Sequence, residues 1–223
     1  MKLFSAKSSM VVGAFATAML LTAQANATVT LGHVDDFQDG TTQSWAGGSG
    51  PTNIPTGGPA GAGDQYLQLS STGTKPIGTK NENQWIGDLT GAGITSIEAD
   101  VANFGATDLE LRVLAIESGF ASQYTSTSTI VVPAGGNWIH VVFDLTTPNM
   151  TLVGGVTPDV ATALSSVQTL LIRHQPGAPQ GVAGSPSVVG QLGIDNITAT
   201  PEPATLGLLA LGGIAALRRR SNR

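Results

Sequence analysis

The chain has 223 residues, no cysteine and a formal net charge of −5. The lack of cysteine excludes disulfides, so an exported domain of this sequence must rest on its core and on any metal it binds. Residues 28–200 contain four basic and fourteen acidic side chains, a net charge of −10, and this excess repels nucleic acid and other anionic polymers. We therefore expect no nucleic-acid partner.

The first 27 residues have the pattern of an export signal. Two lysines precede an apolar run over residues 10–21, and Ala25 and Ala27 form a small-x-small cleavage site. The run is too short for a membrane-spanning helix. The pattern predicts a signal peptide that is cut before Thr28, with a cut after Ala25 as the alternative.

Residues 28–200 are predicted to form one domain, because their clear periodicities have a period of two and are interrupted by turn signals. In residues 97–101, for example, apolar side chains alternate with Glu98 and Asp100, as expected of a half-buried strand. Alternation, weak in residues 28–34, together with strand-forming composition such as the Thr- and Val-rich residues 124–132, predicts nine strands. They cover residues 28–34, 66–69, 83–89, 97–101, 109–115, 124–132, 138–145, 168–174 and 192–199.

Three connecting segments also have clear signals. Residues 47–63 hold three prolines and seven glycines, which predicts a long surface loop. The short link between residues 97–101 and 109–115 predicts a hairpin. Asp159 is predicted to cap a helical turn over residues 160–164.

About nine strands with no long helix between them predict an all-β fold, an antiparallel β-sandwich. Three motifs near the ends of the domain are Asp35-Asp36-Phe37 with Asp39-Gly40 and Trp45, Trp138-Ile139 with Val142-Phe143-Asp144-Leu145, and Gly193-Ile194-Asp195-Asn196-Ile197. Together they resemble the jelly-roll sandwiches of the galactose-binding and carbohydrate-binding-module type. The resemblance implies a jelly-roll β-sandwich and makes glycan, including extracellular polysaccharide, the expected ligand.

The same resemblance implies a structural calcium ion. In those jelly rolls an acidic turn after the first strand and an aspartate in the last strand commonly hold the ion, and the matching residues are Asp36, Asp39 and Asp195. Gln38 stands where many relatives carry Glu, so one charged ligand is missing. The alternative is that the acidic residues near Asp36 only form a turn.

The candidate glycan contacts are aromatic and cationic side chains. Aromatic rings that are exposed on a concave face or a loop rim can stack on sugars, whereas buried ones only pack the core. Arg173 and His174, beside a Gly/Pro loop, are a polar alternative. The candidate residues are Trp45, Trp85, Trp138, Arg173 and His174.

Enzyme signatures are missing from the sequence. It has no G-x-S-x-G motif and no cysteine nucleophile, and its histidines lack metal-ligand spacing. His140 and Asp144 share a strand face, but four residues place their backbones about 13 Å apart. We therefore expect no enzyme. The alternative is a polysaccharide hydrolase whose carboxylate pair would come from Glu98, Asp100, Glu110 and Glu117.

A T-x-T-x-T run at Thr125, Thr127 and Thr129 predicts three hydroxyls on one strand face. Regular threonine arrays occur on ice-binding proteins, which makes ice binding a distant alternative. The run occurs once, however, and a half-exposed Thr-rich strand is the preferred interpretation.

The last stretch of the chain has three parts: Pro201-Glu202-Pro203, an apolar run over residues 204–217, and Arg218-Arg219-Arg220. The prolines keep the first part out of a helix. The run is apolar all round and predicts a short transmembrane helix of roughly 21 Å, below the roughly 30 Å of bilayer hydrocarbon. The positive-inside rule places the arginines in the cytoplasm.

These three parts, in this order, resemble the PEP-CTERM sorting signal of Gram-negative bacteria that make extracellular polysaccharide. The resemblance implies that the export machinery and an exosortase are partners, the latter cutting the tail. It also implies a transient anchor in the inner membrane, followed by release to the cell surface or to the extracellular matrix of a biofilm. A structural matrix protein is then a further alternative to glycan binding.

Overall fold

The structure is a computed structural model that describes residues 28–201. The predicted signal peptide, with its cleavage pair Ala25 and Ala27, lies outside these residues. So does the sorting tail from Glu202 onward, including the predicted helix over residues 204–217. Among residues 28–201 no helix is long and apolar enough to cross a membrane.

Residues 28–201 contain twelve strands and one short α-helix. The strands are β1 (Val34–Asp35), β2 (Thr52–Ile54), β3 (Tyr66–Thr72), β4 (Gly78–Asn81), β5 (Ser96–Asn103), β6 (Leu109–Glu117), β7 (Ser122–Ser126), β8 (Ile130–Val132), β9 (Trp138–Asp144), β10 (Met150–Gly155), β11 (Val167–His174) and β12 (Val189–Thr200). Helix α1 spans Val160–Leu164, and single 3-10 turns cover Ser118–Phe120 and Val182–Gly184.

The strands form two sheets in which all the pairings between strands are antiparallel. The first sheet has the order β2-β3-β12-β5-β9, with β1 against β12. The second sheet has the order β10-β7-β6-β11-β4, with β8 against β6. The predicted all-β antiparallel sandwich is therefore confirmed.

The core lies between the sheets and follows the predicted alternation. On β5 the side chains of Ile97, Ala99 and Val101 are fully buried. On β9 the alternation is just as clear, with Val141 and Phe143 buried. These strands have an apolar face and a polar face, and burying the apolar face against the other sheet provides the main favourable free energy of folding.

Two of the strand predictions are wrong. Residues 28–34 turn at Gly32, whose φ is +80°, and only β1 pairs with β12. Residues 83–85 bend because the buried Asn81 Oδ1 accepts hydrogen bonds from the amides of Asn83 at 3.0 Å and Gln84 at 2.8 Å. Ile86 and Gly87 make only isolated bridges, to Thr28 and Val167. The strand in that part of the chain is β4 instead.

The predicted hairpin between residues 97–101 and 109–115 is also wrong, because β5 belongs to the first sheet and β6 to the second. The buried side chain of Asn103 fastens this crossover. Its Nδ2 donates to Thr107 O at 2.8 Å and to Val132 O at 3.1 Å, and its Oδ1 accepts from Gly105 N at 3.0 Å.

Three other segments contain strands or breaks that the sequence did not predict. Residues 47–63, predicted as loop, include β2, and β10 had no predicted counterpart. Residues 124–132, predicted as one strand, are divided between β7 and β8. The division falls where Ser126 Oγ, in place of a backbone carbonyl, accepts from Val113 N at 3.1 Å.

The predicted helix cap is confirmed. Asp159 Oδ2 accepts from Thr162 N at 2.9 Å at the start of α1.

We expect residues 28–200 to fold without either end of the chain, because the apolar faces of both sheets are buried against each other within this segment. The segment should melt in one cooperative transition by calorimetry or circular dichroism. A soluble segment that shows no cooperative melt, with or without calcium, would contradict this prediction.

Candidate functional site

Two of the predicted sugar-stacking residues lie in the core. Trp45 and Trp85 are 1% and 0% exposed. Both indoles donate to Asp35 Oδ2, at 2.7 Å from Trp45 Nε1 and 2.6 Å from Trp85 Nε1. Burial raises the pKa of Asp35, and the two indole bonds and His33 oppose that rise. Trp45 and Trp85 therefore hold the fold together and cannot stack on a glycan in this structure.

The third tryptophan, Trp138, lies on the outer face of the first sheet. It is half-buried and makes edge contacts with Tyr66 and Phe104, with ring centroids 5.2 Å and 5.9 Å away. Its Nε1 donates to Gly57 O at 3.0 Å, in the loop that covers this face. Trp138 remains a predicted glycan contact with part of its ring exposed.

Asp195 lies on the same outer face, in register with Asp100, yet its side chain is 0% exposed. Its Oδ1 accepts from Asn196 N at 2.8 Å, whereas its Oδ2 has no hydrogen-bond partner among the described residues. Burial raises the pKa of Asp195 to about 7 against the lowering effect of the Asn196 bond, and the charges of Asp64, Asp100 and Asp36 add to the rise.

The predicted calcium ligands are only partly brought together. Asp36 lies close enough to Asp195 to raise its pKa, but Asp39 is exposed and its carboxylate accepts from Thr41 N at 2.8 Å and Thr41 Oγ1 at 2.9 Å. Among residues 28–201 no group of three His, Asp or Glu side chains is arranged as metal ligands. The orphaned Oδ2 of Asp195 and the nearby Asp64, which had not been predicted, are the features that suit a hard cation.

Gln38 binds where those acidic side chains converge. Its Nε2 donates to Asp64 Oδ1 at 2.9 Å, Asp36 O at 3.0 Å and Gln65 O at 3.2 Å. The Gln38 amide therefore places hydrogen-bond donors among these acidic side chains. A Glu at this position would instead add a further negative charge.

A second region lies on the outer face of the second sheet. Residues 175–188, which we name the strap, cross this face between β11 and β12. Arg112 Nη2 donates to Gly177 O at 2.6 Å, and Arg173 donates from Nη2 to Gln180 O at 2.6 Å and from Nη1 to Val182 O at 3.1 Å. The two arginines thus fasten the strap through its backbone carbonyls.

Both arginines are buried, with 3% exposure for Arg112 and 2% for Arg173. They face each other across β6 and β11, and no carboxylate among residues 28–201 lies within ion-pair distance of either. Burial and the charge of Arg112 lower the pKa of Arg173 to about 10, so Arg173 is still charged at neutral pH.

A cavity of about 280 Å³ opens beside the strap on this face. Its volume is close to the lower end of the roughly 300–1,000 Å³ of small-molecule sites. The residues that line it are Gly48, Pro76, Ile77, Gly78, Thr79, Lys80, Leu171, Arg173, Val182 and Ser185. Of the predicted ligand contacts, only Arg173 is among them.

His174 is 6% exposed, and its Nδ1 accepts from Glu110 N at 2.9 Å. Burial lowers the pKa of His174, so the neutral ring is favoured. The histidine therefore fixes strand β6, and the structure directs it to a backbone amide rather than to the cavity.

The remaining candidates are His140 and the four carboxylates of the alternative hydrolase. His140 contacts Asp100 Oδ1 at 3.1 Å and Glu98 Oε2 at 3.4 Å across the strand pair, rather than Asp144. The two other carboxylates of the alternative hydrolase pair hold hydroxyls, Glu110 that of Thr129 and Glu117 that of Thr157.

The threonine run does not present three hydroxyls on one strand face. Thr125 is buried and donates to Val113 O at 2.8 Å, while Thr127 and Thr129 follow the end of β7 and donate to Pro148 O at 2.9 Å and Glu110 Oε2 at 3.0 Å. The predicted array is therefore wrong, because each hydroxyl is bound to a different part of the protein.

Comparison with known proteins confirms the tail prediction. Residues 199–221 match the family model described as the PEP-CTERM protein-sorting motif. The motif implies an exported protein that is processed by an exosortase. No curated protein matches the chain.

Solved structures share the fold of the described domain. An exo-β-agarase aligns with a TM-score of 0.54 and 14% identity, over 77% of this chain and 25% of that chain. A second agarase aligns with a TM-score of 0.51 and 11% identity, over 78% of this chain and 24% of that chain. The chain thus spans about a quarter of the length of these enzymes, and identities this low show a shared fold alone.

A family 11 carbohydrate-binding module from Clostridium thermocellum, in complex with a β-1,3-1,4-mixed-linked tetrasaccharide, aligns with a TM-score of 0.49 and 12% identity. The alignment covers 77% of this chain and 97% of that module.

Proposed function

We propose that this exported protein binds glycan through the outer face of its second sheet, in the cavity beside the strap, and that it has no enzymatic activity. The observation that carries the proposal is the cavity itself, which is concave and lined by four apolar residues, four polar residues and two glycines. The domain also shares its fold with parts of two agarases, and this likeness supports a glycan as the class of ligand.

The placement of the carboxylates supports the proposal that the protein does not hydrolyse polysaccharide. A glycoside hydrolase needs two carboxyl groups that face one bond of the sugar chain. No acidic side chain lines the cavity, and Glu110 and Glu117 are bound to threonine hydroxyls. A structural matrix protein without ligand remains the rival, and it would leave the cavity without a role.

Sedimentation with insoluble agarose, xylan and cellulose tests the proposal. The full chain in mild detergent is expected to sediment with at least one of them, and Ser185→Leu, which places an aliphatic side chain in the cavity, is expected to weaken this binding more than tenfold. Ser187→Leu is the matched control, because Ser187 is exposed on the same strap outside the cavity. Equal binding by both variants would place the site elsewhere, and Trp138→Ala would then be examined.

We also propose that the mature protein is released at the surface or into the extracellular matrix of a Gram-negative bacterium, after a transient stay in the inner membrane. The proposal rests on the sequence prediction for residues 204–220: a short apolar helix that ends in Arg218, Arg219 and Arg220 would leave Pro-Glu-Pro at a defined height on the outer face, within reach of an intramembrane protease. The tail then acts as a processing signal rather than as an anchor.

The double variant Pro201→Ala with Pro203→Ala is expected to remain in the membrane at full length, because the helix can extend through the recognition segment. The parent chain is expected to be released without its arginines. Mass spectrometry of the surface fraction checks this prediction, and peptides of released protein that join Leu217 to Arg218 would contradict it.

A further inference from the structure

The basic side chains of the domain are concentrated on one face. Residues 28–200 contain four of them, Lys75, Lys80, Arg112 and Arg173. On β11, Leu171 and Arg173 point to the same outer face, and their partners in register are Lys80 on β4 and Arg112 on β6. Three of the four cations therefore share the outer face of the second sheet, although the domain as a whole is acidic.

Two polar groups at the cavity beside the strap lack partners. Arg173 is 2% exposed, and both terminal nitrogens of its guanidinium hold the strap, but its Nε has no hydrogen-bond partner among residues 28–201. Ser185 Oγ, on the strap side of the same cavity, is buried and likewise lacks a partner among these residues. A buried N–H without a partner costs free energy, which an acceptor in the cavity would recover.

The charged side chains that line the cavity, Lys80 and Arg173, are both cationic. No carboxylate lines it, and its second cation, Lys80, extends to Glu82 outside the lining, with 2.8 Å between Lys80 Nζ and Glu82 Oε1. Burial lowers the pKa of Arg173, and repulsion by the like charge of Arg112 lowers it further. An anion beside them would offset this repulsion and accept the free donors.

We propose that the cavity binds an anionic substituent, a carboxylate or a sulfate group, on a glycan that is otherwise neutral; this rests on the glycan binding proposed above. Arg173 Nε and Ser185 Oγ donate to the anion, and Lys80 adds charge at the rim. The glycan carries its charges sparsely, because a densely charged polymer is repelled by the net charge of −10 on residues 28–200.

Paired polysaccharides test the proposal and separate the two anions. The full chain in mild detergent is titrated by affinity electrophoresis with glucuronoxylan and its carboxyl-reduced form, and with a lightly sulfated galactan and its desulfated form. The protein is expected to bind one charged member at least tenfold more tightly than its neutral counterpart. The pair that shows the difference identifies the anion.

Two variants locate the effect without disturbing the strap. Lys80→Gln and Ser185→Ala are expected to reduce the preference for the charged polysaccharide at least threefold, because each removes a group that contacts the anion in this proposal. Both variants should fold normally, since Lys80 is 41% exposed and the Ser185 hydroxyl makes no hydrogen bond to the described residues. Lys75→Gln removes the same charge outside the cavity and should leave the preference unchanged. An Arg173 variant is not used, because it would release the strap.

Equal binding to charged and neutral members would overturn the anion proposal and leave glycan binding intact. Equal losses in Lys75→Gln and Lys80→Gln would also overturn it, since overall charge alone would then explain the preference. Failure to bind all four polysaccharides, while free glucuronate or sulfate still protects the protein from thermal unfolding in wild type and less in Ser185→Ala, would retain the anion site and overturn the glycan.

Discussion

Replacing Asp35 by alanine is expected to lower the free energy of unfolding by roughly 2–6 kcal/mol, because it leaves two buried indole N–H groups without an acceptor, each at a cost of about 1–3 kcal/mol. Trp45 and Trp85 both donate to Asp35 Oδ2, and both are almost fully buried. The loss is a large part of the stability of an ordinary domain, about 5–15 kcal/mol. Urea unfolding of residues 28–200, followed by tryptophan fluorescence, measures it.

Two controls accompany this variant. Asp35→Asn keeps an oxygen that accepts from both indoles and should cost less than Asp35→Ala. Asp108→Ala removes an exposed carboxylate with one bond, from Ala134 N at 2.9 Å, and should cost about 1 kcal/mol or less. If Asp35→Ala lowered the free energy of unfolding no more than Asp108→Ala does, the role of Asp35 as the buried acceptor for both indoles would be contradicted.

The second large effect concerns Asp195 and depends on pH. In chelator at pH 8, Asp195→Asn is expected to be more stable than the wild type by up to about 4 kcal/mol, which corresponds to the difference between a pKa of about 7 in the folded domain and the ordinary 3.8. Below pH 4 both states of the wild type hold the proton and the gap vanishes. Between pH 4 and pH 7 only the folded state holds it, so the stability contributed by this carboxyl falls as pH rises.

Calcium should narrow this gap at pH 8. If Asp195 is a ligand, calcium at a hundredfold excess over its dissociation constant stabilises the wild type by about 2.7 kcal/mol and leaves Asp195→Asn unchanged. Thermal melts of both proteins at pH 5 and pH 8, in chelator and in millimolar calcium, measure both effects. A difference in stability between the two proteins that does not vary with pH would contradict the raised pKa of Asp195. Melting temperatures that do not change with calcium would contradict the calcium site.

The strands that sequence patterns predicted well are those whose two faces differ. β5 and β9 alternate apolar and polar residues, and this local signal is enough to predict the faces that Ile97 and Phe143 occupy. β4 was missed because Gly-Thr-Lys-Asn has little strand propensity, and its pairing with β11, far along the chain, imposes the strand.

The candidate site shows the same limit more sharply. Arg173 was identifiable from its type and its position beside a Gly/Pro loop, but its partner in the cavity, Ser185, looks like any loop serine in the sequence. The burial of Trp45 and Trp85 depends on one carboxylate, Asp35, that lies ten and fifty residues away along the chain. Contacts of this kind follow from the arrangement of strands in two sheets, which no local pattern contains.

The most direct test of glycan binding is a glycan array probed with residues 28–200, once that segment has shown a cooperative melt. We predict that the array retains the wild-type domain on a group of structurally related glycans, that Ser185→Leu loses this binding and that Ser187→Leu keeps it. A folded wild-type domain that retains no glycan above background would contradict glycan binding.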